Sequence, residues 1–133
     1  QFFKEETKND WIEKTNLYKE KMGKEALAEE IANEQKSMNE RFNVVKKLND
    51  LSVPLLLSPD ASSKYMIPGF AVFEEMKLYR KSGLNNYDIL KTTTVNFADL
   101  FNENYGTIQA GKDADFILLA QNPLEKLEAL KEI

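Results

Sequence analysis

The run Val53-Pro54-Leu55-Leu56-Leu57, closed by Ser58-Pro59-Asp60-Ala61, sets the tightest limit on how this chain can fold. Its apolar residues are continuous rather than alternating, which suits a strand covered on both faces, as in a parallel sheet. Pro54 near the start and Pro59 at the end bracket a segment too short for a helix. Asp60 then stands at the C-terminal end of an apolar strand, where α/β folds place catalytic groups. An Asp after Ser-Pro is also a good turn or cap residue, and the pattern alone leaves both readings open.

The flanking stretches read as helices. From Thr7 to about Asp50 the chain is charged, and Trp11, Tyr18, Met22, Leu27, Ile31, Met38, Phe42, Val45 and Leu48 recur at helical spacing. Gly23 is the expected break between two or three amphipathic helices, whose remaining charge reads as a solvated face. Beyond the apolar run, Phe70, Phe73, Met76, Leu78 and Tyr79 mark a further helix that Gly83 closes in the left-handed position. Asn85 reads as the N-cap of the next helix, with Asp88 three positions on and Ile89, Leu90, Thr93 and Phe97 along its apolar side. Helix, strand, loop, helix, helix is α/β order.

Composition narrows the chemistry. The 133 residues include no cysteine and no histidine, which removes thiolate and imidazole sites and most autonomous metal chemistry. A formal charge of −4, with the basic residues mixed among Glu, argues against a nucleic-acid partner. No apolar run approaches a membrane span.

In the last stretch Gly111-Lys112 lies between two short strand-like runs, Thr107-Ile108 and Phe116 to Leu119, and suits a tight turn. By its letters Gly106 to Lys112 meets the phosphate-loop pattern. Asp113 stands where that loop needs Ser or Thr for Mg²⁺, and no helix pattern follows, so a nucleotide site is not supported.

The apolar run with Asp60, Ile67-Pro68-Gly69-Phe70, Glu74-Glu75-Met76, Ser82-Gly83-Leu84, Thr94-Val95-Asn96, Gly106-Thr107-Ile108, Ala110 to Asp115 and Asn122-Pro123-Leu124 together resemble the C-terminal part of a metal-dependent amidohydrolase. The nearest likeness is to the imidazolonepropionase-like and prolidase-like branch, over roughly residues 41–133. Ser58-Pro59 departs from the small pair common before the aspartate. Phe73 stands where a histidine is frequent, and Asn96-Phe97 replaces an Asn-Pro.

The resemblance implies an α/β fold: the C-terminal portion of a (β/α)8 TIM barrel whose eighth strand is Val53 to Leu57, with part of an attached small β-sandwich. Residues 1–104 would form the last helices and eighth strand, and residues 105–133 the sandwich segment and the start of a terminal helix. Asp60 then maps onto the aspartate that touches the metal and manages the proton of the attacking water, with a divalent metal, zinc by family habit, as cofactor of the parent enzyme. Ser62, Ser63, Lys64 and Tyr65 follow in a loop that would line the pocket for a small-molecule substrate. The histidines such a site needs are absent, so the chain reads as a fragment truncated at both ends, inactive and without bound metal by itself.

An eighth strand without parallel neighbours would leave an open apolar edge, and self-association is expected there. Two rival readings accompany this one. In one the chain is a helical interaction module presenting Trp11, Tyr18, Met22 and Phe42; in the other it is an amidohydrolase homologue that has lost its metal site.

Overall fold

The computed structural model describes residues 3–61 and 64–132. Two long helices open it, α1 at Glu5–Met22 and α2 at Lys24–Asp50, with the break at Gly23. Gly23 has φ 79°, which an L side chain resists. Its N–H reaches the Lys19 carbonyl at 3.2 Å, and its own carbonyl accepts from Leu27 at 3.1 Å. One residue thus ends one helix and starts the next, and α2 packs against α1, with Tyr18 Oη donating to the Glu30 carboxylate at 2.8 Å. No residue of either helix is buried.

Three shorter helices follow: α3 at Phe70–Lys81, α4 at Asn86–Lys91 and α5 at Val95–Phe101. A 3-10 turn at Leu127–Lys131 comes last. Gly83 ends α3 as its position predicts. At φ 94° it donates to Arg80 O at 2.9 Å, while Leu84 N–H returns to Tyr79 O at 3.2 Å, the paired bonds of a Schellman motif. Asn85 caps α4, its side-chain oxygen accepting the Asp88 N–H at 2.8 Å while its amide donates to the Asp88 carboxylate at 2.8 Å.

The helix expected from Asn85 through Phe97 is two helices. The hydroxyls of Thr92, Thr93 and Thr94 fold back to the carbonyls of Ile89, Leu90 and Leu90 at 2.6, 3.0 and 2.9 Å. Their N–H groups tighten to i−3 acceptors as well, and the regular ladder stops.

The expected α/β architecture is not found. No strand forms among the described residues, so neither an eighth barrel strand nor a β-sandwich is present in them. Residues 53–60 carry no regular structure: Leu57 is buried and Leu55 and Leu56 half-buried against helices and loop rather than neighbouring strands, while Val53 stays exposed. Leu57 joins Met76, Leu84, Ile89, Leu127 and Leu130 in the buried core, with Val45, Leu55, Val72 and Leu119 packed on it. Each such aliphatic side chain contributes about 1.5–3 kcal/mol by leaving water.

The continuous run is covered only towards its C-terminal end, and there by helices and loop rather than by strands. The reason for expecting copies to meet at Val53 to Leu57 goes with the strand. The turn in the last stretch is found: Lys112 N–H reaches Gln109 O at 3.2 Å, with Gly111 at φ 87°. Its flanking runs do not pair, leaving Ile108 and Leu118 almost fully exposed.

Candidate functional site

The end of the apolar segment is held by bonds a sheet would otherwise supply. Asn96 Nδ2 donates to Leu55 O at 2.7 Å, and Tyr79 Oη donates to Leu56 O at 2.7 Å. Leu57 N–H reaches Thr92 O at 3.1 Å, an acceptor freed by the interruption between α4 and α5. The next amide, Ser58 N–H, is directed at the Glu75 carboxylate. Pro59 then has no N–H to place. Asp60 therefore leaves a backbone that α3, the Thr92 turn and α5 pin from three sides.

Asp60 is exposed, and its φ of 45° lies in the left-handed region that Asp tolerates better than most residues. It has no hydrogen-bond or ion-pair partner among the described residues. Ser62 and Ser63 lie outside the described residues. Lys64 is exposed. Tyr65, at φ 63°, turns its ring edge-on to Trp11 with centroids 5.3 Å apart, and its hydroxyl lies 3.0 Å from Thr15 Oγ1. The loop is thereby anchored on α1, and Trp11 and Tyr18 both make contacts within the chain.

Between this loop and α3 lies a largely apolar cavity of about 690 Å³, lined by Ser58, Pro59, Tyr65, Met66, Phe70 and Glu75 among others. Of the residues singled out from sequence, Tyr65 lines it; Lys64 and Asp60 do not, although Asp60 follows directly on two lining residues.

Glu75 is the member that sequence reasoning missed as a site residue. Its Oε2 is buried without a partner among the described residues. Burial raises its pKa above the usual carboxylate value, and the Ser58 N–H partly offsets that. Tyr79, one turn on, is raised first by burial and then by the charge of Glu75. The signal was available: Glu75 lies in line with Ala71 and Tyr79 on the covered side of α3, whereas neighbouring Glu74 faces water and pairs with Lys77 at 2.6 Å.

A family metal would need several ligands. Among the described residues no group of three or more His, Cys, Asp or Glu side chains is placed to hold one. Asp60 and the Oε2 of Glu75, both without a partner among the described residues, do not amount to such a set. No described helix is long and apolar enough to cross a membrane.

The family model described as the amidohydrolase family matches residues 7–132. No curated protein and no solved structure matches the chain.

Proposed function

The chain belongs to the amidohydrolase family, and from that premise we propose that it supplies one carboxylate, Asp60, to the water-activating site of a metal-dependent hydrolase cleaving the C–N bond of an amide, lactam or peptide-like substrate. The observation that carries this reading is Asp60 itself: a carboxylate without a partner among the described residues, in left-handed backbone, at the end of a pinned segment and next to two residues that line an apolar cavity. A carboxylate so placed can take the proton of an attacking water and pass it to the leaving nitrogen. Exposed and unpaired among the described residues, it retains acceptor capacity for that work.

Family members generally use divalent metals, zinc being the default, and such an ion makes bound water acidic near neutral pH. The described residues hold too few ligands for one, so the ligands would come from groups beyond them, and the chain alone is expected to be inactive. The imidazolonepropionase-like and prolidase-like branch is the finer assignment, supported by the order of the sequence blocks around Asp60 and Gly83. The 690 Å³ cavity suits the apolar part of a small substrate.

The test uses the polypeptide encoded by the complete reading frame. Asp60→Asn should abolish amide or dipeptide hydrolysis while leaving the fold intact, and zinc titration of the 133-residue chain alone should show no tight site. Full hydrolysis by Asp60→Asn would refute the proton-transfer role.

A second reading, in which α1 and α2 bind a partner, is favoured by one observation: neither helix buries any residue, and Ile12, Leu17, Ile31 and Val44 are exposed. Loss of partner capture on replacing those four with Ser would support it, and unchanged capture would count against it.

A further inference from the structure

Residues 115–119 present an exposed apolar strip that the site above does not use. Phe116 is 69%, Ile117 55% and Leu118 92% exposed, while Leu119 packs on the core and anchors the segment. Among the described residues no backbone group of residues 114–121 is hydrogen-bonded. Such a segment has high β-propensity, little charge and unused donors and acceptors, which is the composition of a pairing edge. Nearby Ile108, 91% exposed, lines a cavity of about 620 Å³ with Phe116 and Ile117, so the apolar surface extends beyond the strip.

We propose that residues 115–119 pair antiparallel with the same residues of a second copy, about a two-fold axis at Ile117. Charge chooses the direction. A parallel, in-register pair sets Asp113 on Asp113 and Asp115 on Asp115, and like charges directly opposite are destabilising. The antiparallel pair sets Asp115 against Leu119, Asp113 against Gln121 and Lys112 against Asn122, with no like charges opposed. It also sets Phe116 against Leu118 twice, an aromatic–aliphatic cross-strand pair on each side of the axis. The segment is therefore complementary to itself, as a two-fold contact requires. An interface this short belongs at the small, weak end of the size range, so association depends on concentration.

The chain has no cysteine, which makes the test direct. Under mild oxidation Ile117→Cys should form a covalent dimer with itself. Phe116→Cys and Leu118→Cys should link poorly alone and readily when mixed. Sedimentation of the unmodified chain should rise towards the dimer mass as concentration approaches about 1 mM, and Leu118→Lys should weaken that association at least tenfold with unchanged far-UV circular dichroism. Efficient linking of Phe116→Cys alone would overturn the antiparallel register. Equal linking at all three positions with masses beyond a dimer would mean unspecific association and overturn it too. So would a monomeric mass throughout with no linking.

Discussion

Tyr79 on α3 donates its hydroxyl to the carbonyl of Leu56 at 2.7 Å. A helix side chain thereby satisfies a backbone acceptor on an apolar segment that has no strand beside it. Tyr79→Phe removes that donor and leaves the half-buried carbonyl short of a partner. The expected loss is about 1–2 kcal/mol, read as a Tm lower by roughly 4–8 °C. Asn96→Ala should cost a similar amount through Leu55. A Tm unchanged in both variants would show that water replaces these bonds without penalty.

Glu75 gives the chain a pH signature. Its folded-state pKa is raised above the ordinary 4.5, first by burial. The folded protein then binds more protons than the unfolded chain between 4.5 and the raised value, and stability falls as pH rises through that window. Glu75→Gln keeps an acceptor for the Ser58 amide and removes the charge. Urea denaturation from pH 4 to pH 8 should show the decline in the unmodified chain and its loss in the variant, which should be at least as stable at pH 7.

Asp88 acts in the opposite sense. Lys91 chiefly holds its pKa below 3.8, with Asn49 and Asn85 adding hydrogen bonds. Its contribution is present above that ordinary value and is lost as pH falls through the lower folded value. Asp88→Asn should therefore reduce the loss of stability on acidification below about pH 4 in the same titration.

Two glycines should respond differently to an added methyl. At Gly83 the three atoms nearest an added Cβ all belong to the flexible Lys46 side chain, the first at 3.1 Å, so the cost of Gly83→Ala is mainly that of φ 94°, about 1–2 kcal/mol. At Gly106, φ 90°, the Cβ lies 3.1 Å from Thr94 O and 3.1 Å from Ala98 Cβ, and backbone cannot swing aside. Gly106→Ala should cost more by roughly 1–3 kcal/mol. Equal chemical denaturation midpoints would refute the ranking.

Asp60→Asn separates function from stability. The side chain is exposed and partnerless among the described residues, and Asn tolerates φ 45° as well as Asp does. Stability of the 133-residue chain should stay within about 0.5 kcal/mol. A larger change would mean that the carboxylate holds the loop.

Local punctuation was legible in the sequence. Gly23, Gly83 and the Asn85–Asp88 cap each act through their own neighbours, so their residue types suffice. Pairing was not legible, because it depends on distant groups. The apolar run at 53–57 suggests coverage, which only its C-terminal end receives, and nothing in it distinguishes a flanking strand from Tyr79, Asn96 and the Thr92 carbonyl. The helix interruption hid because Ile89, Leu90, Thr93 and Phe97 keep their spacing across it, while the three threonine hydroxyls break the ladder between them. In the site, Asp60 stood out at the end of an apolar run, whereas Glu75 was masked by a charged helix and shows itself only once the covered side of α3 is known.

The Thr92 carbonyl gives that interruption a further meaning. Were α4 and α5 to fuse into one continuous helix, that oxygen would be taken by an amide four residues on, and Leu57 N–H would lose its acceptor. The apolar segment and the helix junction should therefore open together as one cooperative unit, with the Leu57 amide and those of α4 exchanging with solvent at a common rate. A deliberate defect in one helix thus acts as the clasp that keeps a distant, strandless segment in place.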